Sequence, residues 1–164
     1  MRRLAPLFLL LVAAGPAVPA VPLTLPVVDF VRVNKAQRTL ELWQQGRRVA
    51  VIEGIQLGGT PVGAKRFEGD RRTPEGLYEI DWANPNSAFH LSLHISYPNA
   101  QDRDFAQAQG RSAGGMIMIH GQPNAWPAGR VPGDWTDGCI AVSNEEIEVL
   151  WEAVPDGTPI EIRP

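Results

Sequence analysis

"MIMIHGQPNAWPAGRVPGDWTDGCIAV", residues 116–142, decides how this chain folds and where its chemistry lies. "MIMI" is apolar until it reaches His120, and an apolar run, "IAV", follows Cys139. Short runs of this kind are expected of strands buried on both faces. Between them lies a stretch rich in Pro and Gly that carries Trp126 and Trp135. A loop this long inside a compact domain is usually functional, as a lid or a binding wall. An anchored loop and a substrate-contacting lid are both open for the two tryptophans. A histidine and the single cysteine of the chain thus stand at the ends of two buried strands.

Outward from this stretch the pattern is again mostly strand. Residues 27–58 read as a β-meander, with "VVDFVRVNK", "TLELWQQ" and "RRVAVIEGIQLG" separated by polar turns. Thr73-Pro74-Glu75-Gly76 is a β-turn, with Pro at its second position and Gly at its fourth. The strand after it is expected to place Tyr78, Ile80 and Trp82 on one face. "FHLSLHISY" alternates cleanly: Phe89, Leu91, Leu93, Ile95 and Tyr97 face one way, His90, Ser92, His94 and Ser96 the other. Asn99 is placed to cap a short helix that stops at Gly110, and Ser143 with Glu146 forms a capping box for a second. "TPIEIR" closes the chain as a strand. The prediction is one mainly-β domain with two short helices.

The N-terminus sets the compartment. "MRRLAPLFLLLVAAGPAVPA" joins an Arg2–Arg3 charged region to a short apolar stretch and a Val18-Pro19-Ala20 cleavage pattern. The stretch is too short to span a bilayer, so residues 1–20 read as a signal peptide and residues 21–164 as the exported domain, periplasmic or in the cell wall. Without the two leader arginines, the chain has 13 basic and 18 acidic residues. That balance excludes a general nucleic-acid binder, which needs a positive footprint. The cluster "AKRFEGDRR" (Lys65, Arg66, Arg71, Arg72) is either a solvated loop or a local grip on an acidic substrate.

Export makes the cysteine informative. Small exported domains use cysteines in pairs, and Cys139 has no second cysteine to pair with. It is an inert core thiol, an intermolecular link or a nucleophile. A histidine within reach would favour the last, since imidazolium stabilises a thiolate. On that reading Cys139 alkylates faster at neutral pH than a free cysteine. Gly138 lets the backbone turn sharply beside the sulfur, and amides around the Gly138–Cys139 peptide are placed to bind an oxyanion. Such chemistry needs no cofactor.

At this point the residues resemble a known family. "HGQPN…DWTDGCIAVSN" is similar to the signature of the L,D-transpeptidases, a His-Gly followed some fifteen residues later by [Ser/Thr]-x-Gly-Cys, and "GDRRTPEGLYEI" is similar to an upstream segment of the same domain. The resemblance covers residues 28–163. It implies a β-sandwich-like fold and cysteine acyl transfer on peptidoglycan stem peptides, with Cys139 as nucleophile, His120 as general base and Gly138 in the oxyanion site. A backbone carbonyl can serve as the partner that orients His120. Where the commoner pattern has His before Gly-Cys and Arg two positions after Cys, this chain has Asp137 and Ala141. "DWTDGCIAV" with "FHLSLHISYPN" resembles a branch that includes peptidoglycan-trimming hydrolases, which cut a protein–peptidoglycan amide. A peptidoglycan-linked protein is therefore a further candidate partner, and transfer against hydrolysis stays open.

Candidates for substrate contact are His94, Ser96, Gly121, Thr136 and Asp137. His90 and His94 have the spacing of zinc ligands only on a helix; in a strand they stand about 13 Å apart, and no metal site is expected. A papain-like protease is excluded because no Asn follows the histidine in the expected place. A non-catalytic wall-binding module would need neither Cys139 nor His120.

Overall fold

The computed structural model describes residues 25–164, so the leader lies outside the described residues. The meander forms as expected up to Glu53: β1 (Phe30–Asn34), β2 (Thr39–Gln44) and β3 (Arg47–Glu53) pair antiparallel in sequence. β4 (Gly76–Ser87) and β5 (His90–Ile95) form a hairpin, followed by α1 (Ala100–Ala108), β6 (Ile117–His120), β7 (Ile140–Ala141), α2 (Asn144–Ala153) and β8 (Thr158–Arg163). Eight strands make one sheet in the order β3-β2-β1-β8-β4-β5-β6-β7. The last strand of the chain thus lies in the middle, parallel to β1 and antiparallel to β4.

The sheet curls toward closure. Residues 55–58 leave β3 and meet the opposite end of the sheet, where Gln56 and Ala141 exchange both backbone hydrogen bonds at 2.9 and 2.8 Å. The enclosed side is lined by Val31, Val33, Leu40, Leu42, Ile52, Ile80, Ile95, Ile119, Ile140 and Ile160, all fully buried. α2 packs against β5 and β6 and adds Ile147 and Leu150 to this core. Both helices start as predicted, each with a complete capping box, on Asn99–Asp102 and Ser143–Glu146. Among the described residues no helix is long and apolar enough to cross a membrane.

One expectation is corrected. Tyr78 and Ile80 are buried, but Trp82 is 37% exposed on the other face. Ile80 pairs with Ile95 and Trp82 with His94, so β4 spends one residue more than β5 across this step. Asp81 is the extra residue of a β-bulge, and the residue after a bulge points to the opposite face.

Candidate active site

β6 and β7 run parallel, with Ile119 beside Ile140 and His120 beside Ala141. This register sets Cys139, the residue before β7, alongside Met118 on the face that also carries His120. The turn that presents the sulfur is fixed locally. The Gly138 amide donates to Thr136 Oγ1 at 3.2 Å, and that hydroxyl donates to the Cys139 carbonyl at 2.7 Å. Gly138 has φ +134°, and a Cβ there would lie 2.6 Å from the Arg72 carbonyl oxygen, so only glycine fits. Gly58 closes the same corner; its Cβ would meet the Arg71 carbonyl at 2.2 Å.

The sulfur lies at the open start of the β6–β7 ladder. It accepts from the Met118 amide at 3.4 Å and donates to the Met116 carbonyl at 3.6 Å. Met116 holds φ +54°, uncommon for a residue with a side chain. His120 is buried, and its Nδ1 lies 2.7 Å from the Gly121 carbonyl. A carbonyl only accepts, so Nδ1 carries the proton and Nε2 is left as the basic nitrogen. Phe89 and Trp135 cover the imidazole, with ring centroids 4.6 and 5.7 Å away. The Trp135 indole N–H is buried without an acceptor.

In these surroundings the hydrogen bonds of the thiol do not reach the imidazole expected to pair with it. Both go to backbone, of Met118 in β6 and of Met116 just before it, and none goes to His120. Burial pushes the Cys139 thiol up, an effect the Met118 amide opposes, Asp137 reinforces and Lys65 opposes. Burial likewise pushes His120 down, against the hydrogen bond to Gly121. Burial thus favours the neutral form of both the thiol and the imidazole. Iodoacetamide is therefore expected to alkylate Cys139 more slowly at neutral pH than it alkylates a free cysteine, with a rate still climbing above the usual thiol range. A rate that has levelled off by neutral pH would show a resting thiolate.

The remaining candidates divide. Thr136 is buried and spent on the nucleophile turn. Gly121 serves through its carbonyl, and a Cβ on it would strike Asn144 Oδ1 at 2.6 Å. The Ser96 hydroxyl accepts the Glu79 amide at 2.9 Å beside the bulge. All three are engaged in hydrogen bonds that hold the scaffold of the site. Asp137 is 91% exposed and lies 3.3 Å from Arg71 of the basic cluster. Ala141 is fully buried between His120 and Gln56, a place with no room for an arginine. His90 binds Glu148 at 2.7 Å, and His94 binds Asp81 at 2.6 Å while stacking on Trp82.

Sequence reading missed what ties the loop 121–137 down. Gln122 is buried; its amide donates to Gln56 Oε1 at 3.2 Å and to the Val142 carbonyl at 2.6 Å, and its oxygen accepts the Val131 amide at 2.9 Å. Asp134 accepts the Leu57 amide at 2.8 Å and pairs with Arg38 at 2.6 Å. The loop is thus a strapped wall, with Trp135 anchored over the imidazole and Trp126 exposed. Nothing in the pattern of glutamines signals this, because their partners lie far along the chain.

Comparison with known proteins places the fold and the family. The chain is 28% identical over 132 residues to YafK of Escherichia coli (strain K12), covering 76% of this chain and 46% of that protein. It superposes on the helical cell shape determining protein Pgp2 of Campylobacter jejuni with a TM-score of 0.67 at 31% identity, covering 82% of this chain and 47% of the other. An L,D-transpeptidase of Xylanimonas cellulosilytica, 17% identical with a TM-score of 0.54 over 84% of this chain and 61% of that one, shares the fold. The chain spans about half the length of the first two. Residues 29–162 match the YkuD family, the L,D-transpeptidase catalytic domain, and the chain belongs to that family.

Proposed function

We propose that this chain is an exported cysteine acyl-transfer enzyme acting on peptidoglycan stem peptides as an L,D-transpeptidase. The observation that carries the reading is the junction of β6 and β7. There a partly buried thiol at a glycine turn shares a sheet face with an imidazole whose Nδ1 is fixed by the Gly121 carbonyl. The name of the Campylobacter protein, a helical cell shape determining protein, supports a role in wall remodelling and cell shape.

The first half-reaction follows from these groups. The thiol turns from the Met116 carbonyl, and its proton passes to His120 Nε2. The sulfur then attacks the carbonyl of an amide that follows an L-centre in the stem peptide. The Met118 amide, already directed at the sulfur, stabilises charge on it before the S–C bond forms. The Cys139 amide, with no hydrogen-bond partner among the described residues, is free to donate to the oxyanion. Collapse expels the amine, which takes the proton from His120. The thioester is then resolved by a second stem-peptide amine.

Resolution by water gives an L,D-hydrolase and differs only in the acceptor. The exposed Asp137 and the absence of an arginine at position 141 favour that second reading, since both disfavour a carboxylate-bearing acceptor. Arg71 weakens the argument by placing a guanidinium on Asp137. Incubating the purified protein with isolated sacculi decides between them. Mass spectrometry is expected to show new L,D-crosslinked muropeptides; shortened or protein-free stems without crosslinks would establish hydrolysis. Unchanged sacculi would overturn both.

A further inference from the structure

The bulge at Asp81 builds a second cluster on the catalytic face. It turns Trp82 onto the side of the sheet that carries His94, Met118 and Cys139. In register the row runs Trp82 on β4, His94 on β5, Met118 on β6, and the thiol against the Met118 amide. The imidazole of His94 stacks on the Trp82 indole with centroids 4.7 Å apart and planes 16° from parallel. Asp81 Oδ1 holds His94 Nδ1 at 2.6 Å, and Nε2 has no hydrogen-bond partner among the described residues. The indole is 37% exposed and the Asp81 side chain 36%.

Stability alone does not account for this arrangement. A bulge disrupts the ladder locally, and a partly exposed His–Asp contact returns little, about 0–1 kcal/mol. Bulges of this kind recur beside active sites, where they re-aim a side chain. Here the re-aimed side chain is a large aromatic that would otherwise face the core with Ile80.

We propose that Asp81, Trp82 and His94 form a subsite for the sugar that carries the stem peptide of the acyl donor; this rests on the reading of the wall peptide as substrate. Three strand spacings separate Trp82 from β7, about 14 Å, which an extended peptide covers in about four residues. The acyl side of the attacked carbonyl is the side that leads back along the stem to the glycan. A pyranose has a flat C–H face and a rim of hydroxyls. The indole supplies a matching platform, with the carboxylate of Asp81 and Nε2 of His94 at its edge for the hydroxyls. An ammonium ligand fits less well, because the Asp81 carboxylate is already engaged by His94.

The test compares a disaccharide–tetrapeptide with the same tetrapeptide freed of its sugars. The wild-type enzyme is expected to favour the sugar-bearing substrate about tenfold in kcat/KM. In Trp82→Ala that ratio falls to near one, and Trp82→Phe restores most of it. The disaccharide alone is also titrated against Cys139→Ala, followed by indole fluorescence, which requires no turnover. It is expected to perturb Trp82, with the signal absent once Trp82→Ala is added. Equal use of both substrates by the wild type, with no response to the disaccharide, would overturn the subsite while leaving acyl transfer intact. A response to the disaccharide without turnover of either substrate would support the subsite and overturn the acyl-transfer reading instead.

Discussion

Cys139→Ala is expected to abolish release and crosslinking of muropeptides, and His120→Gln to lower kcat/KM by about 10³-fold. The asymmetry follows from the two roles. Without the sulfur no acyl-enzyme forms, whereas without the imidazole the thiol must lose its proton to water. On the proposed mechanism the base carries this much because burial pushes the Cys139 thiol up, and Nε2 of His120 is left to take the proton. The pH profile should carry the same signature. Burial holds His120 below the ordinary imidazole range, so the neutral base persists into mildly acidic solution and the acid limb of kcat/KM falls below that range. In His120→Gln this limb should vanish, and the residual rate should rise with pH toward the raised thiol range. Steady-state rates on purified muropeptides across pH would check this. A His120→Gln enzyme retaining most of its activity would show that another group takes the proton.

Gly138→Ala is expected to lower stability by about 2–4 kcal/mol and activity by at least about 100-fold. An alanine would have to adopt φ +134° with its Cβ 2.6 Å from the Arg72 carbonyl oxygen. That carbonyl is backbone and cannot step aside like a side chain, so relief must come from the turn that carries the sulfur. For a domain of this size the loss corresponds to roughly 10 °C in Tm. Gly133→Ala provides the contrast. Its φ is +73°, but a Cβ there meets nothing within 4 Å, so about 1 kcal/mol and little activity should be lost. Thermal unfolding and kcat/KM of both variants would show whether the close approach or the dihedral alone is at work. Equal effects would remove the special constraint on Gly138.

Strands and caps were legible because they depend on neighbours in the chain. Leu93 and Ile95 share the buried face that the alternation of "FHLSLHISY" predicts, whereas Phe89 packs on His120 instead, and the Asn99 and Ser143 caps report their own first turns. The thiol and the imidazole were legible for a related reason, since each ends an apolar run that had to be buried. The strand Tyr78–Trp82 was misread because a period of two carries no mark of an inserted residue; the bulge exists only in the pairing of β4 with β5.

Local patterns in the chain were enough for a mainly-β domain, its two helices, and the placing of Cys139 and His120 at the ends of two buried strands. Only the tertiary structure decided how the sulfur rests, what orients the imidazole, which arginine meets Asp137, how glutamines far apart strap the loop, and that Asp81, Trp82 and His94 come together on the catalytic face. The physical reason is range. Periodicity and capping act over a few residues, whereas protonation state, hydrogen-bond partners and face assignment depend on groups brought close by pairing across the sheet.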